Sequence, residues 1–176
     1  MFIAQKLRNQ SVSAYLIYMY QVEDLVRAYG LDTDRIATEY LSRFNYDDKQ
    51  LKQAVEWYES LARMMREERK EGTGHVQVVQ NTIDLLEDHH RELLADDDER
   101  DYRVAYYRAL PHIAALRSQG NNKDKHEMEN CIDTLYGVTL LRMQGKELSE
   151  GTKSALTPIT ELLRLCEEKE QTSVNL

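Results

Sequence analysis

With 176 residues, a net charge of -8, 41% apolar and 31% charged residues, the chain reads as one acidic globular domain and not as a disordered segment. The acidic balance argues against non-specific binding to nucleic acid or to anionic membranes. Only 7 Gly and 2 Pro leave little turn chemistry for a sheet protein, so the expected fold class is all-α.

In chain order, the first long helix is expected over 11–29. Ser11 stands at its cap, Tyr15, Leu16, Met19, Val22 and Val26 lie on one stripe, and Gly30 supplies the stop. Its apolar run, 12–22, is shorter than the roughly 20 residues of a membrane span. Nor does it end in a signal-peptide cleavage site. A short helix follows over 34–44. Asp47 and Asp48 open a long one to about Glu71, with Leu51, Ala54, Tyr58, Leu61 and Met65 inward. Gly72-Thr73-Gly74 marks the clearest turn. The next helix, 75–95, carries Val79, Ile83, Leu86 and Leu93 on its stripe.

The acidic run 96–99 opens a fifth helix, which Pro111 should kink or break because it cannot donate to the carbonyl of Tyr107. A polar loop over 118–122 leads to a sixth helix, 123–144. It is apolar nearly all round from Leu135 to Met143 and so is expected to be central. Gly137 within it suggests a closely approaching neighbour helix. The last helix, 149–169, contains Pro158 and buries Ile159, Leu162, Leu163 and Cys166; the tail 171–176 should fray. The sum is a single compact bundle of six to seven helices, mostly antiparallel neighbours, over residues 1–176. Cys131 and Cys166 are too few for a disulfide framework and read as buried free thiols of a cytoplasmic protein.

Several motifs imitate chemistry. Asp97-Asp98-x-x-Asp101 matches half of a metal-diphosphate motif but opens a helix, where the dipole alone favours acids. Glu56 and Glu59 on the third helix, with Asp84, Glu87, Asp88 and His90 on the fourth, form a set comparable to the magnesium carboxylates of helical nucleotide hydrolases. Glu59 and Glu87 are the candidate metal ligands of that reading. Helical phase sends the set in divergent directions, so no metal and no cofactor is expected. The histidines do not cluster, and no serine or cysteine has a recognisable catalytic partner. Only His90 lies squarely on an apolar stripe.

The most informative polar residues are Glu23 and Arg142, each among apolar neighbours on a helix expected to be central. A buried charge requires a partner. The economical expectation is that they meet, with Tyr15 or His90 joining a buried polar network. That network would be either a structural ion pair or a pocket for a small molecule. The 11 tyrosines, against 2 phenylalanines, would line such a pocket, a partner surface or a core with wet hydroxyls.

The opening, Met1 to Leu7, followed by Ala14-Tyr-Leu-Ile-Tyr-Met-Tyr-Gln-Val-Glu-Asp-Leu-Val-Arg27, resembles that of a bacterial family catalogued only as a domain of unknown function. The resemblance implies an all-helical protein of this length and brings no functional residue with it. The functional expectations therefore stand in order. The first is a non-catalytic protein-interaction module, working through an unknown partner or self-association. The second is a small-molecule or metal-binding bundle around Glu23, His90 and Arg142. The third is a magnesium-dependent nucleotide or phosphoester hydrolase.

Overall fold

The computed structural model describes residues 2–118 and 122–174, with side chains over 2–118 and 123–169. Among these the protein is all-helical, with eight α-helices where the sequence suggests six or seven. They are α1 (Phe2–Arg8), α2 (Val12–Ala28), α3 (Thr33–Arg35), α4 (Asp48–Glu67), α5 (Gln77–Ala95), α6 (Arg100–Arg117), α7 (Glu127–Met143) and α8 (Glu150–Val174). The extra member is the short α1; the short helix expected over 34–44 is present as the three-residue α3, which continues as a π turn over Ile36–Tyr40 and a 3-10 turn over Leu41–Arg43. No helix of the described residues is long and apolar enough to cross a membrane.

Two compact units divide the chain: Met1–Gln10 with Ala14–Asn81, and Ser11–Ser13 with Thr82–Leu176. In the first, α2 buries Tyr15, Leu16, Met19, Tyr20, Val22 and Val26, and α4 buries Ala54, Tyr58, Leu61, Ala62 and Met65. In the second, α6, α7 and α8 pack on one another. They bury Tyr102, Ile113, Met128, Ile132, Ile159 and Leu162 together with the free thiols Cys131 and Cys166. Burial pushes the Cys131 thiol far above its ordinary range, with nearby carboxylates adding to the effect.

The helix ends follow local chemistry. Gly30, at φ 63°, closes α2, and the next amide, of Leu31, returns to the Val26 carbonyl at 2.9 Å. At the end of α4 the left-handed position falls instead on Arg69, φ 57°, with the Lys70 amide on the Met65 carbonyl at 2.7 Å. The helix therefore stops at Glu67, ahead of the glycine turn that the sequence favours. Asp47 caps α4 through a reciprocal capping box with Gln50.

Neither proline breaks its helix: α6 runs through Pro111 and α8 through Pro158. α8 also continues to Val174, past the expected fraying point, while 175–176 and 119–121 of the expected loop lie outside the described residues. Two expectations about α7 fail. From Leu135 to Met143 only Val138 is buried, so this stretch is not central. A Cβ added at Gly137 would meet nothing within 4 Å, so the glycine serves no close helix approach.

Candidate functional site

Glu23 and Arg142 have separate fates. Arg142 occupies the last turn of α7 and is exposed. There its charge complements the negative helix end in water and requires no buried partner. Glu23 is fully buried, and its two oxygens are occupied within its own unit: Oε1 accepts from the Val76 amide at 2.8 Å, and Oε2 lies 2.6 Å from His75 Nδ1. A carboxylate can only accept, so the imidazole donates. The His75 ring stacks on Tyr20 with centroids 3.8 Å apart. Arg27 adds a second tie by donating to the carbonyls of Lys70 and Gly74. Glu23 thus caps the start of α5, and Glu68 helps by accepting from the Gln77 amide. Tyr15 is buried and lies under the Arg8 guanidinium; burial raises its pKa, which Arg8 partly opposes.

The same device recurs in the second unit. Glu87, buried on α5, accepts from the Met128 amide at 3.1 Å and closes the start of α7, whose own cap residue His126 makes no capping bond. Glu167, on α8, accepts from the Ser13 amide at 2.7 Å. Glu87 is therefore a cap, and Glu59, exposed on α4 with Glu56, lines an open groove along that helix. Among the described residues no three metal-ligating side chains gather to hold an ion.

His90 is where polar chemistry reaches a cavity. It is 2% exposed on α5, and its Nδ1 lies 2.6 Å from the Tyr102 hydroxyl of α6. Its Nε2 faces Glu127 Oε2 at 3.6 Å, an ion-pair distance too long for a hydrogen bond. The carboxylate favours a proton on Nε2, which leaves Nδ1 to accept from Tyr102. Burial drives the Tyr102 hydroxyl far above its ordinary pKa, reinforced by Cys166, so it remains a neutral donor.

Glu127 opens α7. Its Oε1 meets Arg117 Nη1 at 3.3 Å, whereas its Oε2 is buried and makes no hydrogen bond. His90 first, then Tyr106 and Arg117, hold this carboxyl below its ordinary range against the opposing effect of burial. Reciprocally, burial and Glu127 push the Tyr106 hydroxyl up to about 12. These groups stand at the floor of a cleft of about 320 Å³. Its mouth is more open and carries both signs of charge: the side chains of Arg91, His126 and Lys125 are 59%, 39% and 34% exposed, against 20% for Glu127, and Asp124 stands exposed beside them. Of the four residues expected to share one polar network, the structure gives His90 a cleft, Glu23 a helix cap, Tyr15 a cation–π contact and Arg142 the solvent.

A family model described as Domain of unknown function (DUF4924) matches residues 1–173. The chain belongs to that family. Neither the comparison with curated proteins nor that with solved structures finds a match. The His90 cleft lies wholly within the residues that the DUF4924 match covers.

Proposed function

We propose that this chain is a small-molecule-binding protein whose site is the His90 cleft. The observation that carries the reading is the convergence of His90, Tyr106, Arg117 and Glu127 from α5, α6 and α7 on one cavity of about 320 Å³. Packing and the Tyr102 contact fix the neighbouring imidazole, so the polar groups are organised before any ligand arrives.

The protein-interaction reading has less support. It calls for an exposed apolar, tyrosine-rich patch. Among the described side chains Tyr107 is the one exposed tyrosine, and the exposed large apolar residues are spread over several elements, with no more than two on any helix: Val78 and Leu85 on α5, Val104 and Tyr107 on α6. The hydrolase reading has less still, because Glu56 and Glu59 face solvent and Glu87 caps a helix.

Native mass spectrometry of the full chain, purified from its own host without added ligand, tests the proposal. A bound small molecule that is lost in a Glu127→Gln variant supports it. A bare mass in the wild-type chain counts against it.

A further inference from the structure

A second cavity, of about 340 Å³, lies between α6, the middle of α7 and the start of α8, and it shares no lining residue with the His90 cleft. Its lining is set apart by what it leaves out. In a chain with 31% charged residues, no Asp, Glu, Lys or Arg is among the described residues around it. Hydroxyls take their place: Thr134 from α7, and Ser149, Thr152 and Ser154 from the start of α8, together with the imidazole of His112 from α6.

The hydrogen bonds these groups already make decide which ligands fit. Thr134 Oγ1 donates to the Asn130 carbonyl at 2.8 Å and Ser154 Oγ to the Gly151 carbonyl at 2.9 Å, so both protons are committed to the chain and lone pairs remain. Ser149 and Thr152 share a hydrogen bond at 2.8 Å, which commits one proton more. His112 is half-buried and makes no hydrogen bond or ion pair among the described residues, so its ring N–H is free to donate. A ligand here meets several acceptors and one donor without a partner.

A charged ligand does not suit this lining. An ammonium could donate to the hydroxyls, but its charge would lose hydration without gaining a carboxylate. An anion would find no Lys or Arg, and the start of α8 is already taken: Ser149 Oγ accepts from the Thr152 amide at 3.1 Å, and Glu150 adds a negative charge to the first turn. A neutral polyol brings hydroxyl protons for the acceptors and lone pairs for the imidazole, and its C–H faces can lie on Ala115, Leu116 and Ala155. We propose that this cavity is a further binding site, for an uncharged polyol up to the size of one sugar ring, whose hydroxyls donate to Thr134 and Ser154 and accept from His112. The volume sets the upper limit, because it is at the small end of ligand sites. The site stands whether or not the His90 cleft holds a ligand of its own.

Titration of the isotope-labelled full chain, read by its amide NMR spectrum, tests the site. The probes are glycerol and glucose, each beside charged counterparts of similar size: serinol and glycerate for glycerol, glucuronate for glucose. At least one neutral probe should bind and shift the amides around Thr134, Gly151 and Thr152. Its charged counterparts should bind about tenfold or more weakly, the size of an uncompensated charge. Gly151→Leu fills the cavity from a position where an added Cβ meets only the Ser149 hydroxyl at 3.9 Å, so the helix should form as before and binding should be lost. His112→Ala should weaken the neutral probe about threefold or more, and His112→Gln, which keeps a donor, should recover part of that loss. No response to either neutral probe, equal binding of a charged counterpart, or unchanged binding by both the Gly151→Leu and His112→Ala variants overturns the proposal. Shifts confined to Arg91, Glu127 and their neighbours overturn it as well and leave the His90 cleft as the binding site. Weak shifts spread over the whole surface and growing linearly with concentration are a solvent effect, and they too overturn it.

Discussion

Glu23, buried, and Glu127, half-buried, are both acids beside a histidine, and they differ in how many of their oxygens are used. Glu23 gives one oxygen to a backbone amide and the other to His75, so every acceptor position that matters is occupied by the protein itself. Glu127 gives one oxygen to Arg117 and encloses the other beside His90 without a hydrogen bond, and the residue lines a cavity. A closed arrangement of this kind holds a fold together; an open one can take something up. The contrast warns against reading function from a buried charge alone, since Glu23, the more deeply buried, is the structural member.

The largest effect should come from opening the closed arrangement. Glu23→Ala leaves the Val76 amide and the His75 ring buried without an acceptor. The expected loss is about 3 kcal/mol of unfolding free energy in urea titration. Glu23→Gln, which can still accept from the amide, should lose less. If Glu23→Ala unfolds like wild type, the clasp is not what holds the start of α5, and the contrast with Glu127 collapses.

Gly137→Ala should act in the opposite direction. The site is open, its helix is otherwise intact, and alanine is favoured over glycine by about 1 kcal/mol within a helix. The variant should melt a few degrees higher by circular dichroism and bind any cleft ligand unchanged. A lower melting temperature would show that the glycine serves a packing role after all. Glu127 itself should contribute a smaller, pH-dependent part. Its proton affinity is lowered in the folded chain, so its stabilisation is complete above the ordinary carboxyl value of 4.5 and is lost as pH falls below it. In acid titrations followed by fluorescence, Glu127→Gln should therefore flatten the drop in stability below that pH; an unchanged slope would mean that the Glu127 contacts are solvent-screened.

Much of this architecture is legible in the sequence. Helical spacing locates α2, α4, α5, α6, α7 and α8 to within a few residues, and Gly30 marks the stop of α2 as expected. The stop of α4 was harder to read because a non-glycine, Arg69, takes the left-handed position. The apolar surface of α7 misleads for a related reason: periodicity reports how much apolar surface a helix carries, not whether neighbours cover it. At the candidate site, the sequence singles out His90 by its apolar stripe. It misses Glu127, Arg117 and Tyr106, because they converge from α6 and α7 and no local spacing joins them. One signal was available. The starts of α5 and α7, at Val76-Gln77 and His126-Glu127, lack the short polar residues that usually cap helices, while Glu23 and Glu87 sit unexplained on apolar stripes. An uncapped helix start and a stripe glutamate answer each other.

The smallest effect should belong to Arg142, the residue the sequence marks out most strongly beside Glu23. Its neighbours Leu135, Val138 and Thr139 suggest burial, but those positions belong to a helix whose later half is largely uncovered, and the guanidinium stands in water at the end of α7. Arg142→Met removes a favourable charge from a helix C-terminus, worth only a few tenths of a kcal/mol when exposed, and the change should stay within about 0.5 kcal/mol of wild type. Measured beside Glu23→Ala, it asks whether the two charges belong to one interaction. A silent Arg142→Met with a severe Glu23→Ala assigns the energy to the Glu23–His75–Val76 clasp. A loss of several kcal/mol in Arg142→Met would mean that the arginine is buried and paired in solution, and both the clasp and its contrast with the cleft would have to be redrawn.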